Sequence, residues 1–174
     1  MKNLILITGT SCVGKTTTST KLVKLLPDCV FPDGDWCWYA DPWTVTDETK
    51  NMAVKNMSFL LNSFLDCSAY KNIIFSWILR NDSMVDMVLS WLEGKDYNLH
   101  KFSLICSEEA LKSRYQKDID NDLRESGKLE VYMQGLRDYF VEMDTIKIDT
   151  SDITPEQTAE IIYNYIYPIE LKQT

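Results

Sequence analysis

The sequence predicts an α/β protein in which a parallel sheet carries helices on both faces. Short apolar runs suited to buried strands, such as Leu4-Ile5-Leu6-Ile7 and Ile73-Ile74-Phe75, recur along the chain. Longer stretches between them place apolar residues at helical spacing. Strand and helix alternate from end to end, the order that gives parallel strands joined by right-handed crossovers. With 174 residues, 45% of them apolar and 25% charged, the whole chain reads as one domain with a full core.

The elements follow in order. After the first strand, Thr17 to Leu26 is helical, with Leu22, Leu25 and Leu26 on one side and Pro27 as the stop. Cys29-Val30-Phe31 is a short second strand leading into Pro32-Asp33-Gly34-Asp35. Residues 46 to 67 form a long helix with an apolar stripe of Val54, Met57, Leu61, Phe64 and Leu65. A third strand lies within Asn72 to Leu79. A helix from Ser83 to Leu92 is capped by Asp82 or Ser83, and Leu99 to Cys106 is the fourth strand. The next helix starts at Ser107, with Glu108 and Glu109 in its first turn. Residues 118 to 129 are polar and mixed in charge and read as a mobile segment, followed by a helix over 130 to 142. Thr145 to Ile148 is the fifth strand, and Thr154-Pro155-Glu156 opens a last helix to about Tyr167. His100, early in a strand, reads as structural.

Gly9-Thr10-Ser11-Cys12-Val13-Gly14-Lys15-Thr16 fits the phosphate-loop pattern G-x-x-x-x-G-K-[ST] at each fixed position, with a strand before it and a helix after. The glycines let the backbone curl around an anion, and the N–H groups of the loop and of the following helix start point inward. Lys15 then reaches the β- and γ-phosphates and the Thr16 hydroxyl serves Mg²⁺, with Thr17 beside them. An ordinary capping turn would not require Lys-Thr after the second glycine. The loop thus points to a nucleoside triphosphate with Mg²⁺.

Composition narrows the partners. The net charge of −8 and the lack of any Lys/Arg run argue against DNA or duplex RNA. No apolar stretch approaches membrane-spanning length, and the first strand begins too early to leave room for a signal peptide. Five cysteines without C-x-x-C spacing speak against a disulfide framework or a zinc site and suit a reducing cytoplasm. Cys12 reads as a tolerated small residue of the loop. A monomer and a homodimer both remain open.

The loop at 9–16, the D-x-D at 33–35, the arginine-bearing segment 114–137 and Ile148-Asp149-Thr150-Ser151 with Thr154-Pro155-Glu156 come in a telling order. Together they give a chain that resembles, over essentially its whole length, the small P-loop kinases. These include shikimate kinase, gluconate kinase, chloramphenicol phosphotransferase and the nucleoside monophosphate kinases. The resemblance implies a three-layer P-loop NTPase fold with a five-stranded parallel sheet of order 2-3-1-4-5. It also implies ATP and Mg²⁺, a small-molecule acceptor bound by a segment at about 33–70, and a mobile lid at about 118–129.

Asp33 and Asp35, at i and i+2 on an extended segment, face the same side near the place of the γ-phosphate. One serves Mg²⁺, directly or through water, and the other orients or deprotonates an acceptor hydroxyl. The resemblance favours Asp35 as base and Asp33 as metal partner; a local Asp-Gly turn is the plain alternative. Trp36, Trp38, Tyr39 and Trp43 follow at once, either as walls of an acceptor pocket or as the packed underside of their own loop.

Three of the four arginines, Arg114, Arg124 and Arg137, lie in the segment where the family carries its lid. Arg124 is the candidate for a cation that swings in on closure, and Arg114 for a nucleotide contact. Arg137 reads as a surface ion-pair partner. Arg80, just past the third strand, is an acceptor candidate, and Asp149 and Ser151 lie in the loop that lines the adenine in the family. One departure stands out: the third strand ends without the aspartate of a typical Walker B strand, which shifts metal handling to Thr16 and the Asp33/Asp35 pair. The expected activity is phosphoryl transfer from ATP to a hydroxyl or phosphate of a small molecule. A nucleoside or nucleotide kinase, or a catalytically silent ATP-binding module, is the alternative.

Overall fold

The computed structural model of the chain describes residues 1–133 and 136–168. Its elements are β1 (Lys2–Gly9), α1 (Lys15–Leu25), β2 (Cys29–Val30), a 3₁₀ helix (Gly34–Trp38), α2 (Asp47–Asp66), β3 (Asn72–Ser76), α3 (Asp82–Ser90) and β4 (Tyr97–Ile105). Then come α4 (Glu108–Asp120), α5 (Leu129–Met133), α6 (Leu136–Glu142), β5 (Ile146–Asp149) and α7 (Pro155–Ile166). The five strands form one sheet in the order β2-β3-β1-β4-β5, with every pairing parallel, as expected.

Alternation along the central strands builds two cores. Leu4, Leu6, Ile73 and Phe75 point to one face, where Met57, Leu61 and Leu65 of α2, Val85 and Val88 of α3 and Phe140 of α6 cover them. Ile5, Ile7 and Ile74 point to the other, against Leu22 of α1, Leu111 of α4 and Ala159 and Ile162 of α7. Both faces are buried, so the strands are nearly continuous in apolar residues rather than alternating.

The helix starts are set by local side chains. Thr46 and Thr154 each form a reciprocal capping box, with Thr49 and Gln157 respectively. Ser107 accepts from Ala110 N at 3.2 Å. The cap of α3 is Asn81, whose Oδ1 accepts from Met84 N at 3.0 Å, not Asp82 or Ser83; Asn81 sits one residue earlier and in extended backbone, as a capping side chain requires.

Three further expectations change. Residues 118 to 120 continue α4 because Gln116 and Asp120 bond across a turn, so the irregular stretch begins at Asn121. The stretch 130–142 holds two helices, α5 and α6, on either side of residues 134–135, which lie outside the described residues, as does the side chain of Arg137. The segment carrying Asp33 and Asp35, expected to be extended so that both face one side, turns at Asp33 into the 3₁₀ helix of residues 34–38, because Asp33 Oδ1 accepts from Asp35 N at 3.0 Å and caps it. Among the described residues no helix is long and apolar enough to cross a membrane.

The phosphate loop leaves β1 at Gly9, whose φ is +147°. A Cβ there would lie 2.5 Å from the Leu104 carbonyl oxygen and 2.8 Å from Val13 Cγ1, so β4 and the loop close over it from both sides. Gly9→Ala is therefore expected to lower the unfolding free energy by about 2 kcal/mol or more. Urea denaturation checks this, and a loss below about 0.5 kcal/mol would show that the loop is free to shift.

Candidate active site

The carboxyl ends of β1, β3 and β5 and the first turn of α1 surround a cavity of ≈ 540 Å³. Ser11, Cys12, Val13, Gly14, Lys15, Thr16, Thr17 and Thr18 form its floor; Asp35, Arg114 and Arg124 stand around it. Gly14 enters α1 with φ +103°, and Cys12 is also left-handed at φ +62°, so the loop turns its N–H groups toward the cavity. The Lys15 ammonium folds back to the Thr10 carbonyl at 2.9 Å. Burial pulls its pKa down to about 8, against the upward pull of Asp35 and then Asp33. A desolvated ammonium of this kind gains strongly from an incoming anion.

Asp33 is the hinge of the site. Its carboxylate is buried, with Oδ2 accepting from Thr16 Oγ1 at 2.7 Å and Oδ1 from Asp35 N at 3.0 Å. Thr16 hydroxyl and Asp33 carboxylate are hard oxygen donors held side by side at the start of α1. That donor set fits Mg²⁺, which takes one or two protein oxygens and keeps water and phosphate oxygens for the rest.

Asp35 is exposed as a residue but lines the cavity across from Lys15 and Arg124. Desolvation, with Asp33 as second cause, raises its carboxyl pKa above the ordinary 3.8, while Lys15 and Arg124 pull the other way. Its position depends on a close approach: a Cβ on Gly34 would lie 2.6 Å from the Trp77 ring, so only glycine lets the 3₁₀ helix sit on the segment after β3. That segment is tied to β1 by Thr8, whose hydroxyl donates to Leu79 O at 3.0 Å and accepts from Leu79 N at 2.9 Å.

Arg114 is braced from below. Its Nη1 donates to Val13 O at 3.1 Å and to Thr150 Oγ1 at 3.0 Å, and Nη2 donates to Thr150 O. One guanidinium thus joins the phosphate loop to the β5–α7 loop. Arg124 lies 3.5 Å from Asp118 and 6.0 Å above the centre of the Tyr115 ring. The Tyr115 hydroxyl donates to Glu125 O at 2.8 Å and accepts from Lys128 N at 3.0 Å, so α4 fixes the backbone on both sides of the turn after Arg124.

Other sequence candidates stand off the cavity wall. Trp36 is 60% exposed and rests against Phe31, ring centres 5.1 Å apart. Trp38 is half-buried and stacked on Trp43 at 4.3 Å, packed against the α2 core. Arg80 is exposed and outside the lining. The Ser151 hydroxyl accepts from Ser107 N at 2.8 Å and donates to Asp149 Oδ1 at 2.5 Å, so the pair ties the β5–α7 loop to the cap of α4. His100 is half-buried with a ring nitrogen 3.3 Å from Asn3 Oδ1. Lys117, Asp118, Ile153 and Thr158 line the cavity without a role assigned from the sequence, as does Thr150 of the Ile148–Ser151 pattern. Lys117 and Asp118 follow Arg114 at i+3 and i+4, a helical spacing that places them on one face.

An AAA-domain family model (AAA_18) matches residues 5–132. No curated protein sequence matches significantly. The tunicamycin resistance protein of Deinococcus radiodurans shares the fold with a TM-score of 0.71 and 20% identity, over 95% of this chain and 96% of that one. Shikimate kinase from Acinetobacter baumannii, solved with shikimate, gives 0.65 and 19% over 99% and 97%. The Mycobacterium tuberculosis APS kinase, solved with AMPPNP and APS, gives 0.66 and 10% over 95% and 98%. These likenesses concern the fold. The chain belongs to the AAA_18 family of AAA domains and has the fold of the small P-loop kinases.

Proposed function

We propose that this protein is an ATP-dependent kinase that transfers the γ-phosphoryl group to a hydroxyl of a small molecule. The observation that carries the reading is the single cavity in which the phosphate loop, Lys15, Asp35, Arg114 and Arg124 meet. The loop N–H groups and Lys15 hold the β- and γ-phosphates, and Arg114 borders the nucleotide where the β5–α7 loop with Asp149 and Ser151 flanks the base. Thr16 and Asp33 hold Mg²⁺, which supplies charge neutralisation on the phosphates.

Asp35 accepts the acceptor's proton as the hydroxyl oxygen bonds to the γ-phosphorus and the bond to the ADP oxygen breaks. Its raised pKa makes it a better base than an ordinary aspartate. Arg124 offsets the charge that develops on the transferred group, carried by the segment 121–128 acting as a lid. Of the acceptor candidates Trp36, Trp38 and Arg80, Trp36 is the one this reading keeps, since Trp38 is packed against the α2 core and Arg80 stands outside the lining. Exposed Trp36 beside Asp35 favours an acceptor with a flat ring, such as a nucleoside or nucleotide, as the second reading.

ADP release from ATP and Mg²⁺ is to be followed with panels of nucleosides, nucleotides, sugars and hydroxy acids. At least one acceptor should stimulate release; if none does in any panel, the reading becomes that of a silent ATP-binding module. With the active acceptor, Asp35→Asn should lower kcat by about a hundredfold or more while ATP affinity stays. Full activity in that variant would remove Asp35 as base. The wild-type rate should fall as pH drops through the raised pKa of Asp35, since the base must be unprotonated, and the Asn variant should lack that limb.

Lys15 gives a prediction of opposite sign. Phosphate oxygens favour its charged form, so nucleotide binding should take up a proton once the pH exceeds about 8, and affinity should weaken as pH rises through that value. Calorimetry in two buffers of different ionisation enthalpy measures the uptake. Lys15→Ala should abolish it and weaken triphosphate binding far more than acceptor binding. Uptake that persists in the variant would place the titrating group elsewhere.

A further inference from the structure

Ser76, the last residue of β3, is fully buried, and its hydroxyl has no hydrogen-bond partner among the described residues. Leaving a buried hydroxyl unsatisfied costs about 1–3 kcal/mol, so such a group marks a place where water or a ligand completes the bonding. Its position follows from the strand. Ile73 and Phe75 point toward α2, Ile74 points toward α1, and by alternation Ser76 points toward α1.

Ser76 also pairs with Asp33 in a parallel bridge beyond the end of β2. Paired residues of neighbouring strands project to the same face. The orphaned hydroxyl therefore stands beside the carboxylate that accepts from Thr16 at 2.7 Å. A second hydroxyl without a partner, Ser19, is buried on α1 one turn past Thr16. The seam between α1 and this corner of the sheet is thus polar where both cores nearby are apolar.

We propose that the Ser76 hydroxyl is an outer-shell ligand of the Mg²⁺ site, holding a water of the ion's shell beside Asp33 and Thr16. It occupies the strand end at which a typical Walker B strand carries an aspartate. The inference rests on the ATP and Mg²⁺ reading above. Mg²⁺ sheds its waters reluctantly, so groups that hold those waters count as much as direct ligands. A hydroxyl both donates and accepts, which would let it accept a hydrogen bond from such a water while donating its own to a neighbouring carboxylate. It also adds no third negative charge next to Asp33 and Asp35, where like charges already compete. Ser76 is a positioning residue in this scheme, not a catalytic one.

The test compares the dissociation constant of AMPPNP in EDTA with that in saturating Mg²⁺, for wild type, Ser76→Ala, Ser76→Cys and Ser19→Ala. Mn²⁺ affinity of each nucleotide complex is read by electron paramagnetic resonance. Wild type should bind AMPPNP more tightly with Mg²⁺. Ser76→Ala should keep its metal-free affinity but lose about tenfold of the metal-dependent gain and bind Mn²⁺ correspondingly more weakly. Ser76→Cys, near in size and poor as an acceptor, should behave alike and stands in if the alanine variant is unstable. Ser19→Ala should retain the gain.

A full metal-dependent gain in both Ser76 variants overturns the proposal and leaves the kinase reading intact. Equal losses of thermal stability in Ser19→Ala and Ser76→Ala, with the gain retained, would overturn it too and make both hydroxyls holders of a structural water. A wild-type affinity indifferent to Mg²⁺ overturns the metal reading and this inference with it.

Discussion

A buried carboxylate must find partners for both its oxygens, and the way Asp33 does so organises the molecule around its cavity. One oxygen takes the Thr16 hydroxyl at the start of α1; the other takes the backbone N–H of Asp35 and opens the 3₁₀ helix. The helix that presents phosphate-binding groups and the segment that presents the candidate base are thus fixed to the same side chain. Asp33 is itself fixed to the sheet through its bridge to Ser76. Removing the carboxylate would unpin both segments at once, while neutralising it alone would keep the shape and lose the charge.

The sheet makes this junction possible. β1 lies between β3 and β4, buried on both faces, and its carboxyl end delivers the phosphate loop to the point where the strand order reverses. Gly9 must pass under the Leu104 carbonyl to do so. Around the opening, charge is partitioned: Lys15, Arg114 and Arg124 line the cavity together with Asp35 and Asp118, while Asp33 stands beneath. The Asp33 and Asp35 carboxylates raise the Lys15 pKa against desolvation, and Lys15 in turn restrains Asp35. A net-acidic chain thus keeps a cationic lining where phosphate is expected, by spending few cations on that one place.

What the sequence made legible was governed by distance along the chain. The phosphate loop, the helix starts at residue 46, Ser107 and Thr154 and the strand order are written in local spacing or in the family pattern. Asn81 was passed over as a cap because two neighbours, Asp82 and Ser83, are equally suited by type and only backbone conformation decides among them. The grip of Arg114 on Val13 and Thr150 spans 101 and 36 positions and leaves no local trace. The tryptophan cluster was visible, yet its division into an exposed Trp36 and a stacked, half-buried Trp38 depends on how the loop folds over α2.

The turn after α4 illustrates a last physical point. The polar composition of residues 118–129 suggests a mobile segment, since little apolar surface is available to hold it. Tyr115, buried to 3% exposure within α4, supplies what composition does not. Its hydroxyl bridges a backbone carbonyl at Glu125 and a backbone N–H at Lys128, so two otherwise solvated groups close on one side chain. Its ring meanwhile lies beneath the Arg124 guanidinium, and Asp118 approaches the same group from the side. The turn is thus tied to α4 by this buried side chain as well as by the backbone bonds of Asp122 and Leu123 to Ile119 and Asp118. Arg124 Nε meets Asp118 at 3.5 Å in a pair that is only about a third exposed, and the guanidinium lies 6.0 Å above the buried Tyr115 ring, so phosphate oxygens would have to replace a partly buried ion pair. The cation that the proposed phosphoryl transfer would draw toward the phosphates is thus seated between an acid and a ring of the same helix.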